Sequence, residues 1–173
     1  MNQSSSKETR EKVISVLNKS KALELHAISQ YMYQHYILDD LDYGELAANV
    51  KLISIDEMRH SEEMAERIKE LGGEPVTDPS QPVKKGQGIE DIFSYNMAQE
   101  QEAMDVYNKF LKVCQDKADT VSAQLFEKII AHEQEHYNYF QNVLEHIETL
   151  GNAFLSRKAG TSSDTGPSKG FSY

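Results

Sequence analysis

Two stretches of the chain, ISIDEMRHSEEM (residues 53–64) and IIAHEQEHYNYF (residues 129–140), each set a Glu and a His three residues apart among apolar side chains. A shift of 76 carries Val50, Ile53, Glu57, His60 and Met64 onto Phe126, Ile129, Glu133, His136 and Phe140. Spacing of i, i+3 puts each Glu and His on one face of a helix, and apolar neighbours at the helical period make that face the buried one. The same shift works upstream. Val13, Leu17, Ser20, Glu24, Ala27 and Tyr31 fall on Ile89, Phe93, Asn96, Glu100, Ala103 and Tyr107, and Leu38 falls on Cys114. The chain therefore holds two copies of one unit: a Glu, a Tyr seven residues later, and Glu-x-x-His beginning 33 residues after the first Glu.

Around these units the sequence reads as all-α. Between Lys7 and Leu150, Gly and Pro are confined to Gly44 and to the stretch Gly72 to Gly88, which holds three of the four prolines. A first helix is predicted from Ser5 or Ser6, where Ser5 and Glu8 have capping-box spacing, to about Asp39. A second, opened by Asp42 and Glu45, stops at Gly72; a third follows Gly88 to about Asp116; a fourth runs from Asp119 or Thr120 to Gly151. Helices of about thirty residues are rods of roughly 40 Å. Short joints after the first and third make two antiparallel hairpins. The connection between hairpins, Gly72 to Gly88, reaches about 55 Å when extended, enough to return along the whole bundle. The expected organisation is a terminal segment 1–5, a four-helix bundle 6–151, a short fifth helix at 152–159 and a flexible tail 160–173 without chemistry, since that tail is rich in Ser, Gly and Thr.

Composition narrows the partners. Eighteen Lys and Arg against 28 Asp and Glu give a net charge of −10, which opposes binding to a phosphate backbone or an anionic membrane face. No run approaches the roughly 18 apolar residues of a membrane span. The single Cys114 forms no internal disulfide, and the polar start Met1 to Lys7 has no apolar signal core, so a reducing cytoplasmic setting is expected.

Residues that face each other across an antiparallel hairpin have numbers that average to its turn. Glu24 with Glu57 or His60 averages into the Asp39–Tyr43 joint, and Glu100 with Glu133 or His136 into the Asp116–Asp119 joint. Four carboxylates and two imidazoles thus converge at the middle of one core. Any one Glu on a long helix reads as solvated; six such residues on apolar stripes do not, because four buried carboxylates need compensating cations. Two divalent ions balance four carboxylates. Mixed carboxylate and imidazole donors favour iron or manganese over zinc, and the absence of thiolates argues against an iron–sulfur cluster.

The chain resembles the bacterioferritin family, especially the type found in sulfate-reducing bacteria. The resemblance spans nearly the whole length and is strongest in LELHAISQYMYQHY (Leu23 to Tyr36), LDYGELAANVKLISIDEMRH (Leu41 to His60) and AHEQEH (Ala131 to His136). It implies a ferritin-like four-helix bundle with a di-iron ferroxidase centre held by Glu24, Glu57, His60, Glu100, Glu133 and His136, with Glu57 and Glu133 bridging. It further implies a hollow homo-oligomeric shell of 24 subunits that oxidises Fe(II) with dioxygen or peroxide and stores ferric mineral, an electron-donor protein serving iron release. Members of the family carry an iron porphyrin between two subunits, haem b or iron-coproporphyrin III, with one axial Met from each; the matching residue is Met58. On the helical wheel Met58 lies about 100° from Glu57, pointing away from the bundle centre.

Asp56 lies about 100° to the other side of Glu57, and the resemblance would make that side the shell's cavity, a place to receive iron. Leu52 stands where some relatives have a His on that face. Tyr31 and Tyr107, two turns beyond Glu24 and Glu100, are placed to hydrogen-bond a ligand carboxylate. His26, His35, His146 and His132 are expected to be structural or solvent-facing, and Cys114 a small buried hydrophobe. Two rival readings stand beside iron storage. One is a rubrerythrin-like di-iron peroxide reductase, against which stands the lack of a Cys-x-x-Cys domain. The other is a DNA-coating or purely structural bundle, which the acidic charge and the complete ligand set oppose.

Overall fold

The computed structural model describes residues 3–172, which form five helices: α1 (Gln3–Asp40), α2 (Gly44–Glu70), α3 (Ile89–Asp116), α4 (Thr120–Leu150) and α5 (Asn152–Lys158). α1 pairs with α2 and α3 with α4 as antiparallel hairpins, with α1 against α3 and α2 against α4 across the bundle. The core divides at its waist. Leu38, Leu46, Val50, Ile92, Phe93, Phe140 and Ile147 fill one end. Val13, Leu17, Met64, Ile68, Cys114, Phe126 and Ile129 fill the other. Burial of each such side chain is worth about 1.5–3 kcal/mol, so the two apolar ends hold the polar waist in place.

Two helix starts differ from the sequence expectation. α1 is already helical at Gln3, ahead of the Ser5 capping box. At the α1–α2 joint Asp42 is not a cap: it takes a left-handed conformation, φ 65°, and Tyr43 precedes the first turn of α2 without a side-chain cap. The α3–α4 joint repeats this turn 76 residues on, with Ala118 at φ 54°. Tyr43 N donates to Leu38 O, and Asp119 N to Cys114 O, both at 2.9 Å, the six-to-one closure of a Schellman turn. The duplication thus extends from the Glu and His positions to the backbone of the turns. Asp119 also caps α4 through Ser122 N, 3.0 Å, while Arg67 of α2 binds the same carboxylate at 2.9 and 3.1 Å.

The crossover is tied along its length to one face of α1. Asn18 receives Val76 N, Ala22 O receives Ser80 N, His26 Nδ1 meets Gln81 O, and Gln30 receives Lys84 N. These residues recur every four positions, the spacing of one helix face.

The segment after α5, expected as a flexible tail, lies along the bundle on the side of α2 and α4. Gly160 N donates to Asp42 O, Glu45 N donates to Thr161 Oγ1, and Phe171 N and Ser172 N donate to Asp56. Gly170 passes so close that any Cβ there would overlap the Asp56 carboxylate, and its φ of 132° is one that glycine alone adopts readily. No described helix is long and apolar enough to cross a membrane.

Candidate metal centre

Each helix of the bundle brings its contribution to the waist on the face its apolar neighbours bury: Glu24 from α1, Glu57 and His60 from α2, Glu100 from α3, Glu133 and His136 from α4. All six are at most 2% exposed. They form two quartets, Glu24, Glu57, His60 and Glu133, and Glu57, Glu100, Glu133 and His136, with one donor atom from each residue within 4.8 Å of the others in its quartet. Glu57 and Glu133 belong to both.

The two halves mirror each other. His60 Nδ1 lies 3.0 Å from Glu57 Oε2, 3.2 Å from Glu133 Oε1 and 3.8 Å from Glu24 Oε2. His136 Nδ1 lies 3.0 Å from Glu133 Oε2, 3.2 Å from Glu57 Oε1 and 4.0 Å from Glu100 Oε1. Both imidazoles therefore turn Nδ1 toward the carboxylates. Glu57 Oε1 and Glu133 Oε1 are buried without an aligned hydrogen-bond donor, a cost of about 1–3 kcal/mol each or more for charged oxygens. Orphaned oxygens on the two shared carboxylates, each facing a histidine nitrogen, fit a pair of bridged divalent ions.

The protonation pattern says the same. Burial, then the charges of Glu133 and Glu57, push Glu24 well above the usual carboxylate range; burial, Glu57 and Glu133 do so for Glu100. For Glu57 burial acts upward but His136 and His60 prevail and hold it low, and Glu133 is likewise held down by both histidines against burial and Glu57. Burial works to lower His60 and His136, yet the carboxylates, Glu133 foremost at His60 and Glu57 at His136, hold both well above the ordinary histidine value. The cluster gathers positive charge wherever it finds it.

Tyr31 donates to Glu100 Oε1 at 2.5 Å, and Tyr107 donates to Glu24 Oε1. Each phenol thus serves the carboxylate of the other repeat, orienting the two glutamates that belong to only one quartet. Asp56 does not open onto a surface: it is fully buried and accepts from His136 Nε2 at 3.1 Å as well as from the tail. His132 lies beside the site and not simply at the surface, with Nδ1 3.1 Å from His60 Nε2. Neither contact was legible from spacing, because both reach from one hairpin to the other. Met58 is 50% exposed, beside an open hollow lined with Lys21, Ser61, Glu62 and Ala65. His26 binds the crossover, His35 meets Ala47 O at 2.9 Å, and His146 stacks on Phe154. Cys114 is buried, which pushes its thiol up to about 11.

A hollow of about 280 Å³ between α1, α3 and the crossover is lined by Ser80, Gln81, Tyr95 and Glu102 together with Leu23, Gln99 and Ala103. The last three also border the small cavity against Glu24, Glu57, Glu100 and Glu133, so the outer hollow adjoins the centre along this seam.

The ferritin-like domain family matches residues 14–150. A bacterioferritin of Desulfovibrio desulfuricans is 57% identical over 161 residues, 92% of this chain and 90% of that protein. Bacterioferritin BfrA of Mycobacterium tuberculosis is 36% identical over 144 residues, 83% of this chain and 91% of that one. Among solved structures, the D. desulfuricans bacterioferritin, described with its diiron site in different catalytic states, superposes with a TM-score of 0.93 at 54% identity over 94% of this chain and 95% of that one. M. tuberculosis BfrA superposes with a TM-score of 0.81 at 34% identity over 85% of this chain and 93% of that one.

Proposed function

The chain belongs to the bacterioferritins of the ferritin-like domain family, and on that premise we propose that it detoxifies and stores iron as a ferroxidase acting inside an oligomeric shell. The observation that carries this reading is the pair of quartets sharing Glu57 and Glu133. Bound there as a pair, two ferrous ions supply two electrons together to dioxygen or peroxide, so that no one-electron oxygen species need be released. The chain's own residues do the rest. Glu24 and His60 would hold one ion, Glu100 and His136 the other, with Glu57 and Glu133, common to both quartets, serving each. Tyr31 and Tyr107 keep Glu100 and Glu24 oriented, and the apolar ends of the core keep bulk water from the waist. The net charge of −10 concentrates ferrous ions near the surface, and the seam at Leu23, Gln99 and Ala103 admits them.

Met58 would hold the iron of a porphyrin, haem b or iron-coproporphyrin III, through its sulfur, the group being shared with a second subunit. Its half-exposed thioether on the outer side of α2 fits that role, since a symmetric dimer brings two copies of one patch face to face. Twenty-four subunits built from such dimers complete the shell, loaded in the cytoplasm and emptied by an electron-donor protein.

Replacing Glu100 by Ala removes one ligand and one charge from the His136 position. In a stopped-flow Fe(II) assay the fast oxidation phase should fall by about 10²-fold or more, the size of loss that follows when one pre-placed electrostatic group is taken from a reacting centre, while native mass stays unchanged. Wild-type kinetics in that variant would overturn the assignment.

A further inference from the structure

The shift of 76 that superimposes the two hairpins carries Asp56 onto His132. These two side chains hold equivalent places, for each meets the Nε2 of the ligand histidine on the opposite hairpin. Asp56 Oδ2 lies 3.1 Å from His136 Nε2, and His132 Nδ1 lies 3.1 Å from His60 Nε2, with the rings stacked at 5.3 Å. Everything else in the centre is paired like with like: Glu24 with Glu100, Glu57 with Glu133, His60 with His136, Tyr31 with Tyr107. At this one pair the duplication breaks.

The break has chemical weight. Both ligand histidines turn Nδ1 to the carboxylates, so a metal on Nδ1 leaves the ring proton on Nε2, to be donated outward. On one side the acceptor is a carboxylate. On the other it is an imidazole nitrogen, which brings no negative charge to the bond. A carboxylate acceptor draws the proton more strongly and makes the imidazole the better donor to metal; it also adds a negative charge near the ion. Phe171 N and Ser172 N fix the Asp56 carboxylate in place without cancelling its charge.

Resting on the di-iron reading above, we propose that Asp56 and His132 are positioning residues that make the two metal positions unequal: the ion at His136 is held more tightly, and the ion at His60 is the one that exchanges. Removing a partner of this kind costs roughly 10–100-fold in metal affinity, so the two positions, each with a partner of different strength, differ by at most about that factor.

The test uses the assembled protein freed of metal and given one equivalent of Co(II) per chain, with occupancies read from anomalous diffraction. The expected result is density concentrated at His136, and near-equal density in His132→Asp, which restores the symmetry of the repeat. His132→Ala, which removes the acceptor at His60, should keep the preference for His136 and lower the second stepwise binding constant measured by titration. Equal occupancy in the wild type, a preference for His60, or an unchanged ratio in His132→Asp would each overturn the proposal while leaving the metal centre intact. Absence of Co(II) from both positions at saturation would instead sink the di-iron reading itself.

Discussion

Glu57 and Glu133 illustrate how much a single residue's behaviour depends on what is poised to neutralise it. Metal-free, the centre satisfies its carboxylates with protons, on His60 and His136 and on Glu24 and Glu100, all four of which are raised from their ordinary values. A histidine raised in the fold contributes stability that is complete below the unfolded value, about 6.5, and is lost as pH climbs through the folded one. Raised carboxyls act in the same sense, favouring the fold below about 4.3 and losing that contribution as pH rises. Bound metal reverses this, because it uses the deprotonated donors and must displace the protons. The melting temperature of metal-free protein should therefore drop over the window that opens above about pH 6.5, relative to metal-loaded protein. Parallel melting curves across that window would show that the cluster does not hold these protons. The sequence was explicit about the six donors, since their spacing is local to each helix. It was silent on which carboxylate each tyrosine serves, because Tyr31 reaches Glu100 and Tyr107 reaches Glu24 only across the bundle.

At the level of elements, the duplicated turn sets up a comparison within one molecule. Asp42 and Ala118 share the left-handed conformation, at φ 65° and 54°. Aspartate tolerates that region because its short polar side chain bonds locally, whereas alanine carries a steric cost of roughly 1–2 kcal/mol, part of which glycine gives back as extra freedom in the unfolded chain. Ala118→Gly should stabilise the protein by up to about 1 kcal/mol, or about 2–4 °C in a thermal melt for a chain of this size. Asp42→Gly should gain less. An equal or reversed order would mean that the turn is not limited by its backbone. The helices themselves were legible as far as their periodicity ran. Their first turns were less so: Ser5 and Asp42 look like caps, yet α1 begins before one and the other is spent on the turn. Nor did pattern reveal the ladder of Asn18, Ala22, His26 and Gln30 on α1, since its partners in the crossover are mostly backbone groups that carry no residue signature.

For the whole molecule the relevant faces are those that a single subunit leaves exposed. Met58 is half exposed while Asp56 and Glu57, its neighbours in sequence, are buried, as 100° per residue requires. If Met58 ligates a porphyrin across a dimer, Met58→Leu should abolish the Soret band of the purified protein while native mass and the Fe(II) oxidation rate persist, because leucine keeps the volume and loses the sulfur. A retained band of wild-type shape would place the ligand elsewhere. The tail covers the α2–α4 side, seating Phe171 on Tyr139 and His136 and closing over Asp56.

Sequence alone determined the helices, the two hairpins, the long crossover and the six converging donor residues, because each rests on a period or a spacing within one segment, and the repeat doubled every signal. Only the tertiary structure decided that Asp56 is buried beneath the tail, that His132 backs His60, and that each tyrosine holds the other hairpin's glutamate. Those contacts join residues with no fixed spacing along the chain; they exist only once packing has set the distance and rotation of one helix against another.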